Sequence, residues 1–143
     1  MNAPARRQSG FALTEVILLG LLFLIPLIWA LGVLSELHRA ALASSAAARD
    51  AGLDAARSAD LVEAGAAVDE AVARAFADVG LDPQDARVRW SAGAGLTRGG
   101  AIEVEVTYPV TVLQAPLLGH VSGPSISIRA VHSVRVDPYR SAE

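Results

Sequence analysis

The stretch "TEVILLGLLFLIPLIWALGVLS", residues 14–35, decides how the chain is read. From Val16 to Ser35 it carries no charge. As a helix these 20 or so residues reach about 30 Å, the thickness of a bilayer's hydrocarbon core. Leu18, Leu19, Leu22, Phe23, Ile25, Leu27 and Leu31 put apolar groups on every side of that helix. A helix at the surface of a soluble protein has one polar side. The remainder of a 143-residue chain is too small to enclose a helix apolar all round. The stretch is therefore predicted to cross a membrane, over residues 11–37. Gly20 and Pro26 interrupt it, and both residue types are commoner in membrane helices than in soluble ones. Pro26 removes one backbone hydrogen bond and introduces a tolerated kink.

Working outward, residues 1–10 form a short basic leader with Arg6 and Arg7. Arg39 and Arg49 follow the apolar run. With the free amine added, positive charge favours the N-terminus inside and the C-terminal part outside. The net charge of −3 gives no indication of nucleic-acid binding. Cys is absent, which excludes disulfides, thiolate chemistry and Cys-ligated metals.

Beyond the run, "LHRAALASSAAARDAGLDAAR" (37–57) is rich in helix formers, with Gly52 its one breaker. It is predicted to carry the membrane helix on into solvent as a thin, Ala-lined extension. Asp60 followed by Glu63 reads as a capping box opening a second helix. Leu61, Val62, Val68, Val72, Phe76 and Val79 then recur at steps of three and four, giving one apolar stripe. Glu70 and Arg74 are spaced as a surface pair. Gly80 and Pro83 mark the stop. Residues 38–80 thus make up the helical extension and second helix.

The surface for that stripe is predicted downstream. "ARVRW" (86–90) alternates as a short strand, and "SAGAGLTRGG" (91–100) is a hairpin loop. Ile102, Val104, Val106, Tyr108, Val110 and Val112 are apolar at every second position, with a possible bend at Pro109. After the loop "QAPLLGHVSGP", Ile126, Ile128, Ala130, Val134 and Val136 define a last strand. The expected fold is α+β: a long membrane helix continuing into solvent, a second amphipathic helix, and an antiparallel sheet of about three strands. Residues 84–138 form a small β-rich head. In it Leu61, Val68, Val72 and Phe76 are expected against Val104, Val106, Ile126 and Ile128.

Catalytic chemistry is not visible. His38, His120 and His132 have no neighbouring His or carboxylate at metal-ligand spacing, so neither a metal nor a cofactor is expected. Glu103 and Glu105 share one sheet face, but that face reads as solvated. The Gly-rich loop has neither the Lys-Ser/Thr of a phosphate loop nor the spacing of a dinucleotide turn. The adjacent Leu117 and Leu118 are unusual in a solvated loop. They either fold back on the sheet or present a contact to another subunit.

One placement is chemically unusual: Glu15, a carboxylate at the start of the membrane run. Gly10-Phe11-Ala12-Leu13-Thr14-Glu15, behind a basic leader and ahead of an apolar helix, resembles the type IV prepilin processing motif. The resemblance implies that a membrane prepilin peptidase cuts the Gly10–Phe11 bond. Phe11 then becomes the new, often N-methylated, N-terminus. Glu15 then pairs with a neighbouring subunit's terminal amine during assembly. Nearly the whole chain is similar to the small TadE-like pseudopilins of tight-adherence (Tad) pili. The similarity lies in "RRQSGFALTEVILLGLLFLIPLIWAL", "RAALASSAAARDAG", "VTVLQAPLLG" and "AVHSVRVDPYR". It departs from many of them in having Val16 after the glutamate and in placing Pro26 far from it.

These implications make the chain a non-enzymatic pilin-like subunit or assembly factor of a Tad-type pilus. It would be held in the cytoplasmic membrane, single-pass, with a cell-surface pilus as its further destination. Its implied partners are the peptidase and other pilin or pseudopilin subunits. Two alternatives stay open. One is an uncleaved single-pass protein with an extracytoplasmic binding module. The other is a secreted protein whose signal peptide ends at "ALA" (41–43).

Overall fold

The computed structural model describes residues 9–93, 95–112 and 123–137. The protein is α+β: helix α1 (Ser9–Arg57), helix α2 (Leu61–Ala77), a 3-10 turn (Pro83–Asp85), and strands β1 (Arg87–Ala92), β2 (Ala101–Thr111) and β3 (Ser125–Arg135). The chain divides at Ser35/Glu36 into two compact units.

In the second unit, residues 36–143, the sheet order is β1-β2-β3, antiparallel throughout. β2 is central because it is long, strictly alternating and β-branched, so it can pair on both edges. Its inward residues Ile102, Val104, Val106, Tyr108 and Val110 are all buried. Pro109 is tolerated because β1 ends opposite Thr107. From there β2 has an open edge, where a missing N–H leaves no partner unsatisfied. Ser91 and Ala92, expected in the hairpin loop, instead extend β1, paired with Glu103 and Ile102. Ahead of β2, Gly99 N–H donates to the Val136 carbonyl at 3.1 Å, and Val136 N–H to the Gly100 carbonyl at 2.8 Å. Gly100 is needed there, since a Cβ would lie 2.9 Å from the Thr97 carbonyl oxygen.

Helix α2 begins as its capping residues dictate. The Asp60 carboxylate accepts from the N–H groups of Val62 and Glu63, both at 2.8 Å. Glu63 reaches back to the Ala59 N–H at 2.6 Å, one residue before the expected reciprocal partner. The helix ends at Gly80, whose φ of 72° suits glycine. Leu81 N–H donates to the Phe76 carbonyl and Gly80 N–H to that of Ala77, each at 3.0 Å, a Schellman closure. Val68, Val72 and Phe76 are buried as the stripe predicts. Leu61 and Val62 are not, being 53% and 83% exposed. They sit in the first turn, ahead of Ala64, the first buried residue of the helix. Ile126, expected inside, is 46% exposed near the start of β3.

The larger difference concerns residues 36–57. Ala40, Ala43, Ser44, Ala47, Ala48, Ala51 and Ala55 are buried in the same core as the α2 stripe and the β2 valines. The Ala-rich segment is therefore a packed layer of the head. Alanine permits this close approach: at Gly52 even a Cβ would already touch Val134 Cγ1 at 3.4 Å and His132 Cδ2 at 3.5 Å. Among the described residues, Ser44 Oγ is the buried side-chain polar atom left without a hydrogen-bond partner.

Candidate functional site: the apolar helix and its acidic entry

Residues 12–32 of α1 are all exposed, including Leu18, Leu22, Phe23, Ile25 and Trp29. None of the most apolar window is buried within the chain. Such a surface is stable only in lipid or against other apolar helices. The helix is long and apolar enough to cross a membrane. Pro26 lies inside it. The proline has no N–H to offer the carbonyl one turn earlier, so that bond is missing.

Gly10 and Phe11 lie in the first turn of α1. Glu15 is exposed one turn further on, at the entry to the apolar run. An unpaired acidic side chain at membrane depth costs about 2.5–3.5 kcal/mol at a helix centre and less near an end. Leu117 and Leu118 lie outside the described residues, as do His120, Arg6 and Arg7. The structure therefore brings Gly10, Phe11 and Glu15 onto one short helical segment through sequence proximity alone.

In the head, His38 is exposed and His132 half-buried beside Gly52. Glu103 is exposed, and Glu105 accepts from Arg129 at 2.8 Å. That pair is diagonal across β2 and β3, since Glu105 stands opposite Val131. Among the described residues no group of three or more His, Asp or Glu side chains is placed to hold a metal ion. Among the described residues, the side chain with a displaced acidity is Tyr108. Burial, and then the charges of Asp85, Asp82 and Glu36, raise its pKa, while a backbone hydrogen bond at Asp82 opposes them. Tyr108 is a core residue stacked on Phe76.

Sequence reasoning missed the buried face of residues 36–57. Its signal was present in the spacing of Ala40, Ala43, Ala47, Ala51 and Ala55, with Arg39, Arg49, Asp50 and Arg57 on the opposite side. Compared with known protein families, curated proteins and solved structures, the chain matches none.

Proposed function

We propose that the chain is a pilin-like subunit or assembly factor of a Tad-type pilus, anchored by α1 in the cytoplasmic membrane with its head outside. It is the substrate of a prepilin peptidase rather than an enzyme. Cleavage of the Gly10–Phe11 bond exposes a new amine at Phe11, and Glu15 meets the amine of a neighbouring subunit.

The observation that carries this reading is Glu15: a carboxylate exposed on α1, followed by an uncharged run from Val16 to Ser35. An opposite charge from another chain offsets the penalty of that carboxylate in lipid. The burial of Ala40 and Ala43 counts against a signal-peptidase cut after Ala43, which would remove part of the head's own core. The uncleaved single-pass reading shares the helix and differs in the fate of residues 1–10.

The test is the intact mass of the membrane form from cells that carry the peptidase. Loss of residues 1–10 is expected, and Gly10→Val should abolish that loss, because a branched side chain crowds the small site. A wild-type protein that keeps its leader overturns the reading in favour of the plain anchor.

A further inference from the structure

The charges of the head are sorted by layer. Residues 60–85, covering α2 and the turn after it, carry seven carboxylates and one arginine. All eight side chains are exposed. The sheet carries the opposite sign. Strand register puts the odd-numbered residues of all three strands on the face away from the core: Arg87 stands opposite Thr107 and Thr107 opposite Arg129, while Arg89 stands opposite Glu105. Four arginines (87, 89, 129 and 135) and two glutamates (103 and 105) occupy that face, and one Arg–Glu pair, Arg129–Glu105, is already formed. The head thus has an acidic helical side and a basic sheet side.

Each side also presents an apolar contact. On α2, Val62, Ala66, Asp69 and Ala73 follow one another along the outward line of the helix, and all are exposed. On the sheet face Val131 is 50% exposed, across from Glu105. A small apolar centre ringed by opposite charges is the composition of a specific protein contact.

We propose that the outer sheet face of one copy of this chain receives α2 of a second copy. The two surfaces lie on different layers of the same head, so the contact is heterologous. It is not self-complementary, so each head keeps one unsatisfied surface of each kind. Repetition generates a row of heads, a ring where the rotation between copies closes and an open filament where it does not. The inference stands independently of processing at Gly10 and of any role for Glu15.

Because the chain has no cysteine, introduced thiols report contacts without background. Ala66→Cys marks the helical face and Ser133→Cys the sheet face; both positions are exposed and uncharged. The two full-length variants, leader intact, are co-reconstituted in phosphatidylcholine vesicles and oxidised. The mixed pair is expected to form the disulfide dimer several-fold more than either variant alone. Raising salt from about 0.05 to about 0.5 M should weaken it, because surface charges are then screened. Adding Arg87→Glu with Arg89→Glu to the Ser133→Cys copy should abolish the dimer. Adding Asp69→Arg with Glu70→Arg to the Ala66→Cys copy should restore it, which a misfolded partner cannot do. Like pairs that cross-link as well as the mixed pair, or a failure of restoration, overturn the proposal. So does a mixed dimer lost when phosphatidylglycerol is included, which would assign the basic face to anionic lipid.

Discussion

The rings of Phe76 and Tyr108 stack with centroids 4.8 Å apart and planes 21° from parallel. This contact joins the C-terminal end of the α2 stripe to the central strand, at the point where β1 no longer runs beside it. Phe76 is fully buried. Truncating a buried phenylalanine removes its transfer energy and leaves a cavity, at about 3–5 kcal/mol. Phe76→Ala in the full chain should lower the head's stability by that amount. Urea denaturation in mild detergent, followed by near-ultraviolet circular dichroism, measures it. An unchanged midpoint would mean that α2 is not held by this contact.

Tyr108 gives the head an alkaline limit. Its pKa lies above the ordinary value of about 10, chiefly because burial disfavours the phenolate and secondarily because Asp85, Asp82 and Glu36 are negative. The folded state therefore holds the phenolic proton more tightly than the unfolded chain. That contribution to stability is fully present below about pH 10 and is lost as pH rises through the higher folded-state pKa. The chain has no Lys or Cys to obscure the effect. Tyr108→Phe should flatten the fall in denaturation midpoint between about pH 9 and about pH 12. An equally steep fall in the variant would place the limit elsewhere, for instance at Tyr139.

Gly52 separates close approach from conformational need. It is helical, and a Cβ there would sit at ordinary contact distance from Val134, His132 and Val104. Alanine therefore fits, and removing a helical glycine is favourable by about 0.5–1 kcal/mol. Valine adds two methyl groups where the sheet already touches, and overpacking of this kind costs about 1–3 kcal/mol. Gly52→Ala should raise the melting temperature and Gly52→Val lower it. If both lower it, the helix–sheet spacing is tighter than these distances indicate.

Why residues 36–57 escaped a reading by hydropathy follows from the same geometry. Alanine is weakly apolar, so a face made of Ala40, Ala43, Ala47, Ala51 and Ala55 does not stand out from an Ala-rich helix. Burial here comes from small size, which lets the backbone lie close to the sheet, and only the sheet reveals that it matters. Where side chains are bulky or their hydrogen bonding is local, the sequence was legible: the β2 alternation, the Asp60 cap and the Gly80 stop all form. Val62 and Ile126 were misplaced because periodicity says which way a residue points but not where a packed surface ends. For the site, Gly10, Phe11 and Glu15 were legible because their arrangement is one of sequence. The sorting of charge between α2 and the sheet needed the strand register.

Glu15 is the decisive residue for the proposed assembly. Glu15→Gln keeps the shape and a polar tip and removes the charge. Helix insertion should be unimpaired, since a neutral amide is easier to place in lipid than a carboxylate. Cleavage at Gly10–Phe11 should continue, because the peptidase acts on the glycine junction. Association with neighbouring subunits should suffer. A hydrogen bond to a charged group contributes about 1.5–3 kcal/mol, so affinity for the neighbour should fall by about 10- to 100-fold. Membrane level, N-terminal mass and co-purification with pilus subunits, compared between wild type and variant, separate these three steps. A variant that is inserted and cleaved but no longer co-purifies is the expected outcome. One that co-purifies as well as wild type reduces Glu15 to a headgroup-level residue and removes the charge pairing from the mechanism.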